Sequence, residues 1–121
     1  QADEERLAIS PLPQVPDKVI PAYTVKKKEK KLYFIIDDAG YSTEKLAPFL
    51  DFPGKLTVAV LPGLQHSRDS AEMALSKGKK VILHQPMEAV NGNNTGPYAI
   101  RKSMQEKEII EILEKNINSL L

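Results

Sequence analysis

Three short apolar runs, each followed by a segment of helical period, restrict this chain more than any other property. Leu32-Tyr33-Phe34-Ile35-Ile36 and Val81-Ile82-Leu83 are aliphatic or aromatic, and each has lysines before it and polar groups after it. With Lys55-Leu56-Thr57-Val58-Ala59-Val60 they read as buried parallel strands at about 31–36, 55–60 and 80–84. A helix is expected at about 43–50, with Ser42 as its N-cap and Pro53-Gly54 closing the unit. A second is expected at about 67–77, with Ala71, Ala74 and Leu75 inward and Gly78 as its stop. The last, about 105–118, places Ile109, Ile112, Leu113 and Ile117 on one stripe.

The resulting order, βαβαβα, predicts an α/β unit with parallel strands and right-handed crossovers. Three parallel strands leave edges and faces uncovered. We therefore expect this chain to be about half of a larger α/β barrel or sheet. The remainder would lie outside this sequence or be supplied by a second polypeptide.

In such folds ligands bind where the strands end and the connecting loops gather. The first run ends in Asp37-Asp38 and the third in His84-Gln85-Pro86-Met87. Two carboxylates and an imidazole at one rim point to a metal site or to acid–base chemistry. Neighbouring side chains on an extended backbone point different ways, so one Asp is expected to face a metal and the other a reacting water. The plain alternative is an Asp that caps the next helix beside a solvated one. His84 is a ligand on the first reading and a hydrogen-bonded strand-end residue on the second. Pro86, Met87, Glu88 and His66 are the candidate substrate-binding residues. Each has its bland counterpart: Pro86 stiffens the chain, Met87 packs, Glu88 forms a salt bridge and His66 starts a helix. The loop 85–103, with its Asn-Gly-rich stretch 91–97, is either a substrate wall or ordinary turn chemistry.

Several classes are disfavoured. The 17 basic and 16 acidic residues nearly cancel, and no basic patch interleaved with aromatics marks a nucleic-acid binder. Cysteine is absent, so thiolate metal sites, disulfides and a Cys nucleophile are excluded. No Gly-rich phosphate loop and no nucleophile elbow is present, and no stretch is apolar enough to cross a bilayer. Residues 1–30, with prolines at 11, 13, 16 and 21 and the lysine-rich stretch 26–30, read as an extended linker or tether ahead of a domain at 31–121.

Three elements together resemble the divergent polysaccharide deacetylase family, the YibQ-like distant relatives of the NodB-homology carbohydrate deacetylases. They are Ile35-Ile36-Asp37-Asp38-Ala39-Gly40, Thr57-Val58-Ala59-Val60-Leu61-Pro62 and His84-Gln85-Pro86-Met87-Glu88, with Gly96-Pro97 following. The resemblance implies that the domain is the N-terminal part of a deformed (β/α) barrel of the glycoside hydrolase/deacetylase type. It also implies hydrolysis of acetyl groups on a glycan substrate by a metal-activated water. Asp37 would be the general base, and Asp38 and His84 ligands of a divalent metal such as zinc. The second histidine of the broader family falls at Glu88, and the resemblance implies a third protein ligand outside this segment, a histidine in a downstream Asn-Asn-His-x-Gly-Ser-like stretch. The alternative is an inactive protein of the same fold that binds carbohydrate or cell envelope. The resemblance also implies a periplasmic or extracytoplasmic location.

Overall fold

The computed structural model describes residues 28–121. The linker expected over 1–30 therefore lies outside the described residues up to position 27; residues 28–30 have no regular structure. Six elements follow in the expected order. They are β1 (Ile35–Ala39), α1 (Thr43–Leu50), β2 (Thr57–Val60), α2 (Ser67–Ser76), β3 (Lys80–Leu83) and α3 (Glu106–Asn118). The strands form one parallel sheet in the order β1-β2-β3. Sequential parallel order with intervening helices is the pattern of a partial (β/α) barrel. Among the described residues, no helix is long and apolar enough to cross a membrane.

The helices form where local chemistry supports them. Ser42, in extended conformation, accepts from the Lys45 backbone N–H at 3.2 Å and opens α1. Gly78, at φ +70°, sits just past the Lys77 cap of α2; this left-handed conformation is costly for a residue with a Cβ. At α3 the Glu108 side chain reaches back to the Gln105 N–H at 2.7 Å, one half of a capping box.

One face of the sheet carries the core. Val58 and Val60 are fully buried beneath Leu46 and Leu50 of α1, Ala71 and Ala74 of α2, and Leu120 just beyond α3. Ile36, Val81 and Leu83 pack against the same cluster. Burying each of the larger aliphatic side chains stabilises the fold by about 1.5–3 kcal/mol. The α2 stripe facing this core is small: Ser67, Ser70, Ala71 and Ala74 are all buried. The Ser67 hydroxyl donates to the Leu61 carbonyl at 2.6 Å and accepts from the Leu64 N–H at 2.9 Å.

Four expectations need correction. β1 starts at Ile35 rather than near residue 31, and it runs on through the acidic pair. Its partner β2 begins only at Thr57, whose N–H donates to the Phe34 carbonyl at 3.1 Å; earlier residues have no ladder to join. β1 is also not buried on both faces, since Ile35 is 58 % exposed on the side away from the helices. On α2, Leu75 lies outside the small-residue stripe and is exposed. On α3, Ile117 is exposed and the neighbouring Asn116 is the buried residue, because its amide finds partners inside.

Candidate metal centre

The sheet register creates the site. Ile36 pairs with Val58 and Ala39 with Val60, so three steps along β1 match two along β2. The extra residue is a β-bulge, and within it Asp38 adopts φ +57°. Asp is among the few residues other than Gly that tolerate this region, and its occurrence beside a strand end is typical of functional sites. The bulge turns the second carboxylate toward the same side as the first. Both Asp carboxylates therefore converge on one point, in place of the opposed directions that a regular strand imposes.

The loops after the strands lock this rim. The Leu61 N–H donates to the Ala39 carbonyl at 2.8 Å, and the His66 N–H to the Gly40 carbonyl at 3.1 Å. Gly40 itself sits at φ +125°, and a Cβ there would press within 3.3 Å of Leu64 and Ser67. On the far side, the His84 N–H donates to the Val60 carbonyl at 2.8 Å, which extends the ladder by one residue.

His84 Nδ1 then lies 2.7 Å from Asp37 Oδ1 and 3.1 Å from Asp38 Oδ1. These distances suit an ion pair, yet neither oxygen meets the nitrogen in hydrogen-bonding geometry, and Nδ1 is buried without a hydrogen-bond partner. One ligand atom from each of the three residues falls within 4.8 Å of the others, an arrangement that can hold a metal ion. Two carboxylate oxygens and an imidazole nitrogen suit a borderline divalent ion such as zinc. The donor set and the unbonded nitrogen fit such an ion.

The other candidates have different surroundings. His66 precedes α2, and its Nδ1 lies 3.4 Å from Asp69 Oδ2 on the same helix. The Pro86 carbonyl accepts from the Ile100 N–H at 3.0 Å, and Met87 forms a parallel bridge with Ile100 while its side chain is exposed. Glu88 Oε2 accepts from the Lys102 N–H at 2.6 Å. Among the described residues, neither His66 nor Glu88 joins the cluster of three. Beside the acidic pair a cleft of about 390 Å³ opens between β1 and α1, with Tyr41 and Lys45 among its lining residues.

Sequence reasoning missed Asn116 and Gln85, which are joined side chain to side chain. The available signal was an asparagine on the 109/112/113/116 stripe of α3, where an apolar residue would ordinarily sit.

Comparison with known proteins places the chain in a family. The sequence profile described as "Divergent polysaccharide deacetylase" matches residues 34–120. The uncharacterized protein YibQ of Escherichia coli (strain K12) is 32 % identical over 90 residues, 74 % of this chain and 28 % of YibQ. An uncharacterized protein of Haemophilus influenzae (strain ATCC 51907 / DSM 11121 / KW20 / Rd) is 32 % identical over 63 residues, 52 % of this chain and 22 % of that protein. The chain thus spans less than a third of the length of either relative. With the profile running from the start of the sheet to the last turn after α3, this chain belongs to the divergent polysaccharide deacetylase family.

Proposed function

We propose that this chain supplies the base and two ligands of a metal-dependent hydrolase that removes acetyl groups from carbohydrates. The observation that carries the reading is His84 Nδ1, buried without a hydrogen bond and faced by two carboxylates. Asp38 and His84 would hold the ion, with further ligands from outside this cluster. When bound, zinc would polarise an acetyl carbonyl and lower the pKa of water. Asp37 Oδ1 takes the proton from the attacking water and returns it to the departing sugar nitrogen or oxygen. Asp37 and Asp38 are both about two-thirds exposed, so a bulky glycan can reach them from solvent. Tyr41, exposed at the mouth of the adjoining cleft, offers an aromatic face for a sugar ring. The family's carbohydrate chemistry supports the substrate class.

A second reading is a carbohydrate-binding protein of the same fold without turnover. Glu88 favours it: the position where the broader family has a second histidine is occupied by a carboxylate engaged with the Lys102 backbone. One experiment separates the two. Full-length protein is titrated with zinc by calorimetry and assayed for acetate release from N- and O-acetylated oligosaccharides. The hydrolase reading expects zinc uptake and acetate release, both lost in Asp38→Ala and His84→Ala. Glycan binding that is indifferent to chelator, with no acetate released, would establish the second reading.

A further inference from the structure

We propose that Asn116 and Gln85 form a clamp that sets the His84 imidazole against the acidic pair, making Asn116 a positioning residue for the metal centre. This rests on the metal-dependent reading above. Asn116 is wholly buried near the C-terminal end of α3, 32 positions beyond His84 in the sequence. Its Nδ2 donates to Gln85 Oε1 at 2.7 Å and to the Tyr98 carbonyl at 2.9 Å. A backbone carbonyl only accepts, so the Tyr98 contact fixes which end of the Asn116 amide faces inward. Gln85 must then present its oxygen to Asn116, which turns its Nε2 to the Pro86 and Tyr98 carbonyls, each at 2.8 Å. Every bond in the group assigns the next.

The clamp acts on the residue directly after His84. On one side the His84 N–H is tied to Val60 of the sheet. On the other, Gln85 is held by three side-chain bonds and Pro86 by the Ile100 N–H. The peptide carrying the imidazole is thus fixed at both ends, which limits the directions from which the ring can approach Asp37 and Asp38.

Packing alone does not account for an asparagine here. Its Oδ1 is buried without a partner, and an unpaired buried polar atom costs about 1–3 kcal/mol. An apolar residue at this position of the stripe would avoid that cost. What asparagine adds is the pair of Nδ2 donors, one to the Gln85 side chain directly after His84 and one to the Tyr98 carbonyl, which Gln85 Nε2 also bonds. Partners that orient a metal ligand change metal affinity by roughly 10–100-fold when removed.

The test measures zinc dissociation constants by competition with a chelator in wild type, Asn116→Ala, Gln85→Ala and the double variant, all verified as folded by circular dichroism. Leu50→Ala is the control, because Leu50 of α1 lies in the sealed core and takes no part in the hydrogen bonds around Gln85 and Asn116. We expect Kd to rise 10–100-fold in either clamp variant, with the double variant no weaker than the weaker single one. Leu50→Ala lowers Tm and leaves Kd unchanged. In metal-free protein, the ¹⁵N resonances of the His84 ring broaden or split in the clamp variants alone. Should Asn116→Ala not fold, Gln85→Ala in the loop carries the comparison. Wild-type Kd in folded clamp variants, with zinc binding still lost in His84→Ala, overturns the clamp and leaves the hydrolase reading standing. A wild type that takes up no zinc overturns the hydrolase reading, and the clamp's metal role with it.

Discussion

The two faces of the sheet divide the labour of this domain. The face under the helices is apolar and sealed: Val58 and Val60 have no exposure, and Leu50 has 2 %. The opposite face carries Ile35, Ala59 and Ile82 and leads up to Asp37 and His84. It is open at Ile35 and Ile82, 58 % and 37 % exposed, with Ala59 buried between them. In a parallel barrel the helices pack outside, so this second face is the one that looks inward. Stability therefore resides mostly on one side of the strands, and the candidate metal cluster adjoins the other. The strand ends are shared between the two, and the bulge at Asp38 is where β1 passes from one role to the other.

Substitutions on the two faces should accordingly separate activity from stability. The largest effect is expected on the open side. Asp37→Asn removes the proposed base and should lower acetate release by roughly 10²–10⁴-fold, while zinc affinity and Tm, measured by calorimetry and thermal melts, stay near wild type. A loss of zinc binding in this variant would show that both carboxylates act as ligands. On the sealed side, Leu50→Ala opens a cavity in the core and should cost about 2–5 kcal/mol in urea unfolding, with zinc affinity retained in the folded protein. Unchanged stability would mean that the α1–sheet core is not where the fold is held.

Smaller effects sharpen the contrast. Ser42→Ala deletes the N-cap bond to Lys45, and chemical unfolding should report a loss of about 0.5–2 kcal/mol. Ile82→Thr, on the open face, is expected to change stability by about 0.5 kcal/mol or less, as at an ordinary surface position. A cost several times larger would reveal that this face is packed against something in solution, and the division between the faces would fail.

Much of the architecture could be read from short windows. The α1 boundaries and its Ser42 cap, the Gly78 stop and the parallel order all follow from periodicity and local chemistry within a few residues. The β1 boundaries did not, because a strand forms only where a partner exists, and β2 starts at Thr57. The placement of Leu75 and Ile117 also went astray. Helical period marks a stripe, but which edge of the stripe meets the sheet depends on the docking angle of the whole helix.

For the candidate site, the sequence alone named the three side chains that cluster in the structure: an acidic pair and an imidazole at the ends of parallel strands. Only the tertiary structure decided how they meet. The bulge at Asp38 exists because β1 and β2 pair out of step, and that register is a property of two segments some twenty residues apart. The bond between Asn116 and Gln85 spans 31 positions and leaves no local pattern to read. Propensity and periodicity act over a turn of helix or a few strand residues, whereas register and buried polar partners are settled only when distant segments pack together.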